Sequence, residues 1–139
     1  MSFYDVLVDV LNEKGKTIQD LERDKVLPKN VFYNFKFFTP SLKHMISMAN
    51  YLELSLDYIV GNSSENKFKK YKLSQNNFFK ILSEILKENS VSQSKLSKDT
   101  GIARVNFSRW KGGLTPQFSS VLLISKYLKC NIDELLERE

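Results

Sequence analysis

The chain aligns with itself. Phe3, Val6, Leu7, Val10 and Leu11 form an apolar stripe at i, i+3, i+4, i+7 and i+8, and 75 residues later the same spacing reads Phe78, Ile81, Leu82, Ile85 and Leu86. At that offset Leu21 pairs with Leu96, Asp24 with Asp99, Leu27 with Ile102, Phe32 with Phe107, Phe35 with Trp110 and Lys36 with Lys111. One inserted residue then moves the offset to 76, which pairs Thr39-Pro40 with Thr115-Pro116 and Leu42, Met45, Ile46, Ala49, Tyr51 and Leu52 with Phe118, Val121, Leu122, Ser125, Tyr127 and Leu128. Apolar residues at this spacing share one face of an α-helix. Two copies of one helical unit, each of about sixty residues, therefore fill almost the whole length.

Within each copy, breakers divide the pattern into five short helices. In the second copy the spacing predicts helix 1 over about 75–88, helix 2 over about 93–99 behind an N-capping Ser92, and helix 3 over about 104–111. Gly101 supplies the left-handed residue of the tight turn between helices 2 and 3, and Gly112-Gly113 ends helix 3. Helix 4 is expected to begin near Pro116, a residue suited to a first helical turn, and Asn131 with Glu134 reads as a capping pair for helix 5. The first copy has matching signals in Thr17, Pro28, Pro40 and Ser55. The expected organisation is all-α: a domain over 1–61, a basic linker over 62–73, and a second domain over 74–139. The linker, NSSENKFKKYKL, reads as a solvated tether or as an arm that touches phosphate, and about twelve residues extended can span ~40 Å.

Charge separates the copies. Residues 1–62 carry 7 Lys+Arg against 8 Asp+Glu, residues 63–76 carry 4 against 1, and residues 77–139 carry 10 against 7. The positive excess of +5 thus lies in the middle and the C-terminal half, whose natural partner is a polyanion. No apolar run approaches the ~18 residues of a bilayer span, and the N-terminus lacks the basic and apolar regions of a signal peptide, so a cytoplasmic protein is expected. A single cysteine and a single histidine leave no disulfide, no Cys-rich zinc site and no catalytic triad. His44 is expected at the surface and Cys130 in the core or at its rim. No glycine-rich phosphate loop occurs, and the scattered carboxylates suit helix caps. Neither catalysis, nor a cofactor, nor a metal is expected.

The second copy resembles the phage-repressor (Xre-type, lambda-repressor-like) helix-turn-helix family. The resemblance rests on VSQSKLSKDTGIARVNFSRWKGGLTP: Gln93 opening helix 2, Leu96, Gly101 in the turn, Phe107 and Trp110 inside helix 3, and the Gly113-x-x-Pro116 exit. The endings SLDYIVG and NIDELL also look like helix 5 of that family. The resemblance implies two tandem five-helix lambda-repressor-like domains, sequence-specific binding of double-stranded DNA, and transcriptional control, usually as a homodimer. Geometry sorts helix 3 independently. Phe107 and Trp110 face inward, and Arg104, Val105, Ser108 and Arg109 share the opposite face, where the family makes its base contacts. Two of the chain's four arginines lie there, and a guanidinium fork suits guanine O6 and N7. Gln93 resembles the family's phosphate-binding glutamine, with Asn106, Lys111 and Thr115 as further phosphate candidates.

Copy one departs from the pattern. Val26 stands where the turn glycine belongs, Ile18 replaces the helix 2 glutamine, and Phe37-Phe38 replace the glycine exit. Its equivalent face carries Lys29, Asn30, Tyr33 and Asn34, a candidate second DNA surface on an acidic unit. Phe37 and Phe38 cannot both be buried in a short loop, and exposed aromatics suggest a protein interface. The leading expectation is a repressor that reads the major groove with helix 3 of the second domain. If both units read DNA, one chain acts as a pseudo-dimer with its helices about 34 Å apart. The rival is a protein-interaction module, an inhibitor or antirepressor, that keeps the fold and binds a partner through the first domain. A third reading is non-specific DNA coating.

Overall fold

A computed structural model describes residues 2–139. Among these residues there are nine α-helices, one 3-10 helix and no β-strand. They form two compact units, one ending at Leu73 and the other spanning Ser74–Glu139.

The first unit contains α1 (Phe3–Glu13), α2 (Ile18–Arg23), a 3-10 helix (Phe32–Lys36), α3 (Leu42–Leu52) and α4 (Leu56–Ile59). Each α-helix starts where a short hydroxyl side chain accepts a hydrogen bond from a backbone N–H of its first turn. Ser2 and Asp5 form a reciprocal capping box before α1, Thr17 and Asp20 do so before α2, and Ser41 and Ser55 cap α3 and α4. The Thr17 N–H donates to the Asp20 carboxylate, which lowers its pKa. Leu7, Leu21, Phe32, Met45, Ile46, Ala49 and Leu56 are buried together as the core. Each of the larger side chains contributes about 1.5–3 kcal/mol by leaving water.

Three sequence expectations change in this unit. Helix 3 does not start at Pro28. Pro28 is exposed and irregular, and only five residues coil, as a 3-10 helix. The left-handed residue of the turn does not fall at Val26, the position aligned with Gly101, in keeping with the resistance of a β-branched residue to positive φ; Lys25 takes it, with φ 58. The turn has moved back one residue, which spares a β-branched side chain a costly positive φ. His44 is half-buried rather than superficial, its ring centroid 6.4 Å from that of Phe35.

Third, residues 62–73 are no free tether. The Tyr71 side chain is buried in the first unit, where its phenol oxygen accepts from the Leu56 N–H at 2.8 Å. Asn50 clamps the Tyr71 backbone from both sides, accepting from its N–H at 2.9 Å and donating to its carbonyl at 3.0 Å. Asn66 accepts from the Ser55 N–H at 2.8 Å and donates to the Glu53 carbonyl at 2.9 Å. The segment satisfies backbone groups that α3 and α4 leave open, so it belongs to the first fold. With it, residues 1–73 carry 11 Lys+Arg against 9 Asp+Glu, and the acidic balance read from residues 1–62 is reversed.

The second unit contains α5 (Phe78–Glu88), α6 (Gln93–Thr100), α7 (Val105–Lys111), α8 (Phe118–Leu128) and α9 (Ile132–Leu135). Ser92 caps α6, and Asn131 with Glu134 forms the capping box of α9. Gly101 adopts φ 79 between α6 and α7. Helix α5 starts later than expected because Gln75 is buried as a loop residue, bonding the Glu137 backbone through Nε2 at 3.1 Å and Oε1 at 2.7 Å. Pro116 lies in the loop and Gln117 precedes α8, so Pro116 is not in a first helical turn. Phe78, Leu82, Leu96, Phe107, Trp110, Phe118, Val121, Ile124, Ile132 and Leu135 form the core. No helix among the described residues is long and apolar enough to cross a membrane.

Candidate nucleic-acid interface

Helix α7 has only seven residues, too few to hold its shape alone. Two aromatic rings pin it. Trp110 packs edge-on against Phe78 of α5 with centroids 5.1 Å apart, and Phe107 meets Trp110 at 5.5 Å. Their burial fixes the rotation of the helix, so the opposite face is held outward. That face carries Arg104, Val105, Ser108 and Arg109, all exposed, with Val105 53% accessible. An aliphatic side chain left that open on a pinned helix gains nothing from the core.

The turn entering α7 is equally fixed. The Gly101 N–H donates to the Ser97 carbonyl at 2.9 Å, the Ser97 hydroxyl to the Ile102 carbonyl at 2.6 Å, and the Thr100 hydroxyl to the Leu96 carbonyl at 2.6 Å. Helix α6 is held to α8 by Asp99, which accepts from the Tyr127 phenol at 2.5 Å and pairs with Lys95 at 3.2 Å. The phenol bond, then the ammonium, holds the Asp99 carboxyl below its ordinary pKa, and the shared proton pushes Tyr127 up. The first unit repeats the device: the Tyr51 phenol donates to Asp24, which also accepts from Arg23.

Gln93 is the first residue of α6 and is exposed, at the end where the backbone N–H groups lack helical partners. Lys111 and Thr115 are exposed, and Asn106 is half-buried. Asn106, Arg109 and Thr115 line one open groove beside Trp110, together with Leu114 and Gln117. Sequence reasoning missed those last two. Leu114 is 59% accessible and Gln117 makes no side-chain capping bond to α8. Both lie in the loop after the Gly112-Gly113 pair, where periodicity gives no signal.

In the first unit Lys29, Asn30, Tyr33 and Asn34 are all exposed, but they do not form the outer face of an α-helix. Asn30 sits in the left-handed region with φ 68, and its N–H donates to the Glu22 carboxylate at 2.8 Å. A carboxylate thus stands beside that candidate surface. Phe37 and Phe38 are 80% and 69% accessible. Cys130 is half-buried, at the rim of the core. Among the described residues no group of three or more His, Cys, Asp and Glu is placed to hold a metal.

No curated protein and no solved structure matches the chain. Residues 81–139, running from within α5 past the end of α9, match the family of Cro/C1-type HTH DNA-binding domains, and with its pinned α7 and glycine turn the second unit is similar to that helix-turn-helix family.

Proposed function

We propose that this chain is a sequence-specific regulator of transcription, a repressor that occludes its operator by laying α7 in the major groove of double-stranded DNA. The observation that carries the reading is the outward face of α7: Arg104, Val105, Ser108 and Arg109 stand exposed together on a helix whose other face is locked by Phe107 and Trp110. In this reading Arg104 and Arg109 pair with guanine edges, Ser108 bonds a base and Val105 packs on a thymine methyl. Gln93, Asn106, Lys111 and Thr115 meet phosphate, joined by Gln117 across the groove from Arg109. The chain acts in the cytoplasm as a homodimer, presenting two copies of α7 to a two-fold operator. The first unit, built from the same order of helical elements, adds contacts of its own.

Selection from random duplexes tests this. It enriches one short motif, and Arg104→Ala or Arg109→Ala loosens the preference at particular base pairs of it. An unchanged motif in both variants refutes the assignment. The second reading, a protein-binding inhibitor or antirepressor, has Phe37 and Phe38 in its favour and predicts no enriched motif at all.

A further inference from the structure

The first unit carries a surface with a chemistry of its own. Its 3-10 helix and the turn after it read FYNFKFF, and the aromatic members of this run are split by exposure. Phe32 and Phe35 are buried, whereas Tyr33, Phe37 and Phe38 are 43%, 80% and 69% accessible. Tyr33 stacks on Tyr4 of α1, with centroids 6.2 Å apart and planes 27° from parallel. The Lys36 ammonium lies 4.6 Å from the Tyr4 centroid and 6.0 Å from that of Tyr33. Exposed Lys29, Asn30 and Asn34 are sequence neighbours of the same short element. This stretch therefore presents open aromatic rings interleaved along the chain with cations and amides.

Three occupants can be weighed on this chemistry. A flush duplex fits poorly, because Phe37 and Phe38 project at the exit where the second unit has only Gly112 and Gly113. A dry protein interface accounts for Phe37 and Phe38 but not for Lys36, whose ammonium lies over the Tyr4 ring and would have to be desolvated. Unpaired nucleotides satisfy both halves. Their base faces stack on phenyl rings, and their phosphates pair with lysine. We propose that Phe37 and Phe38, flanked by Tyr33, Lys29 and Lys36, bind single-stranded nucleic acid by stacking, a second activity separate from duplex reading by α7.

The test uses the full chain and a labelled oligothymidine of about 15 nucleotides, with binding read by fluorescence anisotropy in moderate salt. Phe37→Ala with Phe38→Ala is expected to weaken binding by at least about fivefold for each ring removed. The tyrosine double variant keeps the affinity, and the leucine double variant loses it, because stacking needs a π face. Lys36→Gln lowers affinity and flattens its salt dependence. Both phenyl rings are exposed, so all these variants keep the fold, which circular dichroism verifies. Unchanged affinity in the alanine double variant overturns the proposal, and so does full retention by the leucine variant. A fall in oligomeric mass of the alanine variant without change in oligothymidine binding also overturns it, assigning the rings to a second copy. Because the readout is single-stranded, failure of the duplex reading leaves this outcome untouched.

Discussion

Tyr71→Phe removes one oxygen and measures whether residues 62–73 belong to the first fold. Leu56 opens α4, and its N–H, buried with the rest of the residue, donates to the Tyr71 phenol at 2.8 Å. No turn of helix precedes it, so no carbonyl of α4 can replace that acceptor. Phenylalanine preserves the ring packing, including the edge contact with Phe68 at 6.4 Å. The loss includes the Leu56 hydrogen bond with its donor stranded in the interior, about 1–3 kcal/mol. In a unit of this size each kcal/mol lowers the midpoint by about 4–8 °C, so a fall of roughly 4 °C or more is expected. Asn50→Ala, which removes the two Asn50 bonds to the Tyr71 N–H and carbonyl, is expected to cost at least as much. Differential scanning calorimetry of the whole chain resolves the effect when the two units melt separately, and hydrogen exchange at Leu56 reports it otherwise. A shift under about 1 °C in both variants refutes the argument and returns residues 62–73 to the solvent.

Four further outcomes follow from the geometry. Arg104→Ala and Arg109→Ala each cost about 1–3 kcal/mol of discrimination at one base pair, whereas Lys111→Ala weakens all sequences alike and reduces the salt slope by about 1, as competition binding across salt concentrations measures. Gly101→Ala destabilises the second unit by about 1–2 kcal/mol, and the whole cost is backbone strain, because a Cβ there meets nothing within 4 Å; urea denaturation checks it. Gly101→Asn costs less, since asparagine tolerates the left-handed region. Asp99 has its pKa depressed by Tyr127 and Lys95, so its contribution is present above the unfolded carboxylate pKa of about 3.9 and is lost as pH falls through the lower folded value. Asp99→Asn therefore flattens the acid limb of a stability profile measured below about pH 4, and an unchanged limb contradicts the pairing.

How far the sequence could be read depended on what each residue contacts. Helix caps are local, and Thr17, Ser55, Ser92 and Asn131 lie where a side chain reaches a backbone N–H within its own turn. The apolar stripe of α5 was equally legible, because burial of Phe78, Leu82 and Leu86 follows directly from a 3.6-residue period. Gln75 was not, since its partner is the backbone of Glu137, 62 residues along the chain. Tyr71 was hidden for the same reason: KFKKYKL is polar by composition, and one ring with a distant acceptor decides its fate. The loss of helix around Pro28 was obscured by the copy it resembled, where Arg104 follows Gly101 at helical spacing. At the candidate interface, the inward pair Phe107 and Trp110 announced which side of α7 faces out, but Leu114 and Gln117 enter the groove from a loop with no periodicity to give them away.

The offset of 75 or 76 residues separates what the scaffold requires from what a surface is free to change. Leu21 and Leu96 are both fully buried, as are Met45 and Val121, and Leu56 and Ile132. The Asp24–Tyr51 and Asp99–Tyr127 bonds recur although they are exposed, since each ties one helix to another across the unit. The backbone differences named above meet in one region: the turn at Lys25 against Gly101, the 3-10 helix against α7, and Phe37-Phe38 against Gly112-Gly113. A chain that merely drifted would scatter polar substitutions across the open face. Here bulky rings replace glycines, and two adjacent exposed phenyl rings form an apolar patch of the kind that marks an interaction site. The two faces thus make opposite demands on a ligand. The second offers a guanidinium pair on a slim rod that enters a groove, and the first offers rings that require bases already free of one. A variant that grafts Gly-Gly onto positions 37 and 38 should therefore lose single-strand binding without acquiring a duplex motif, because the 3-10 helix before it still lacks an α-helical outer face.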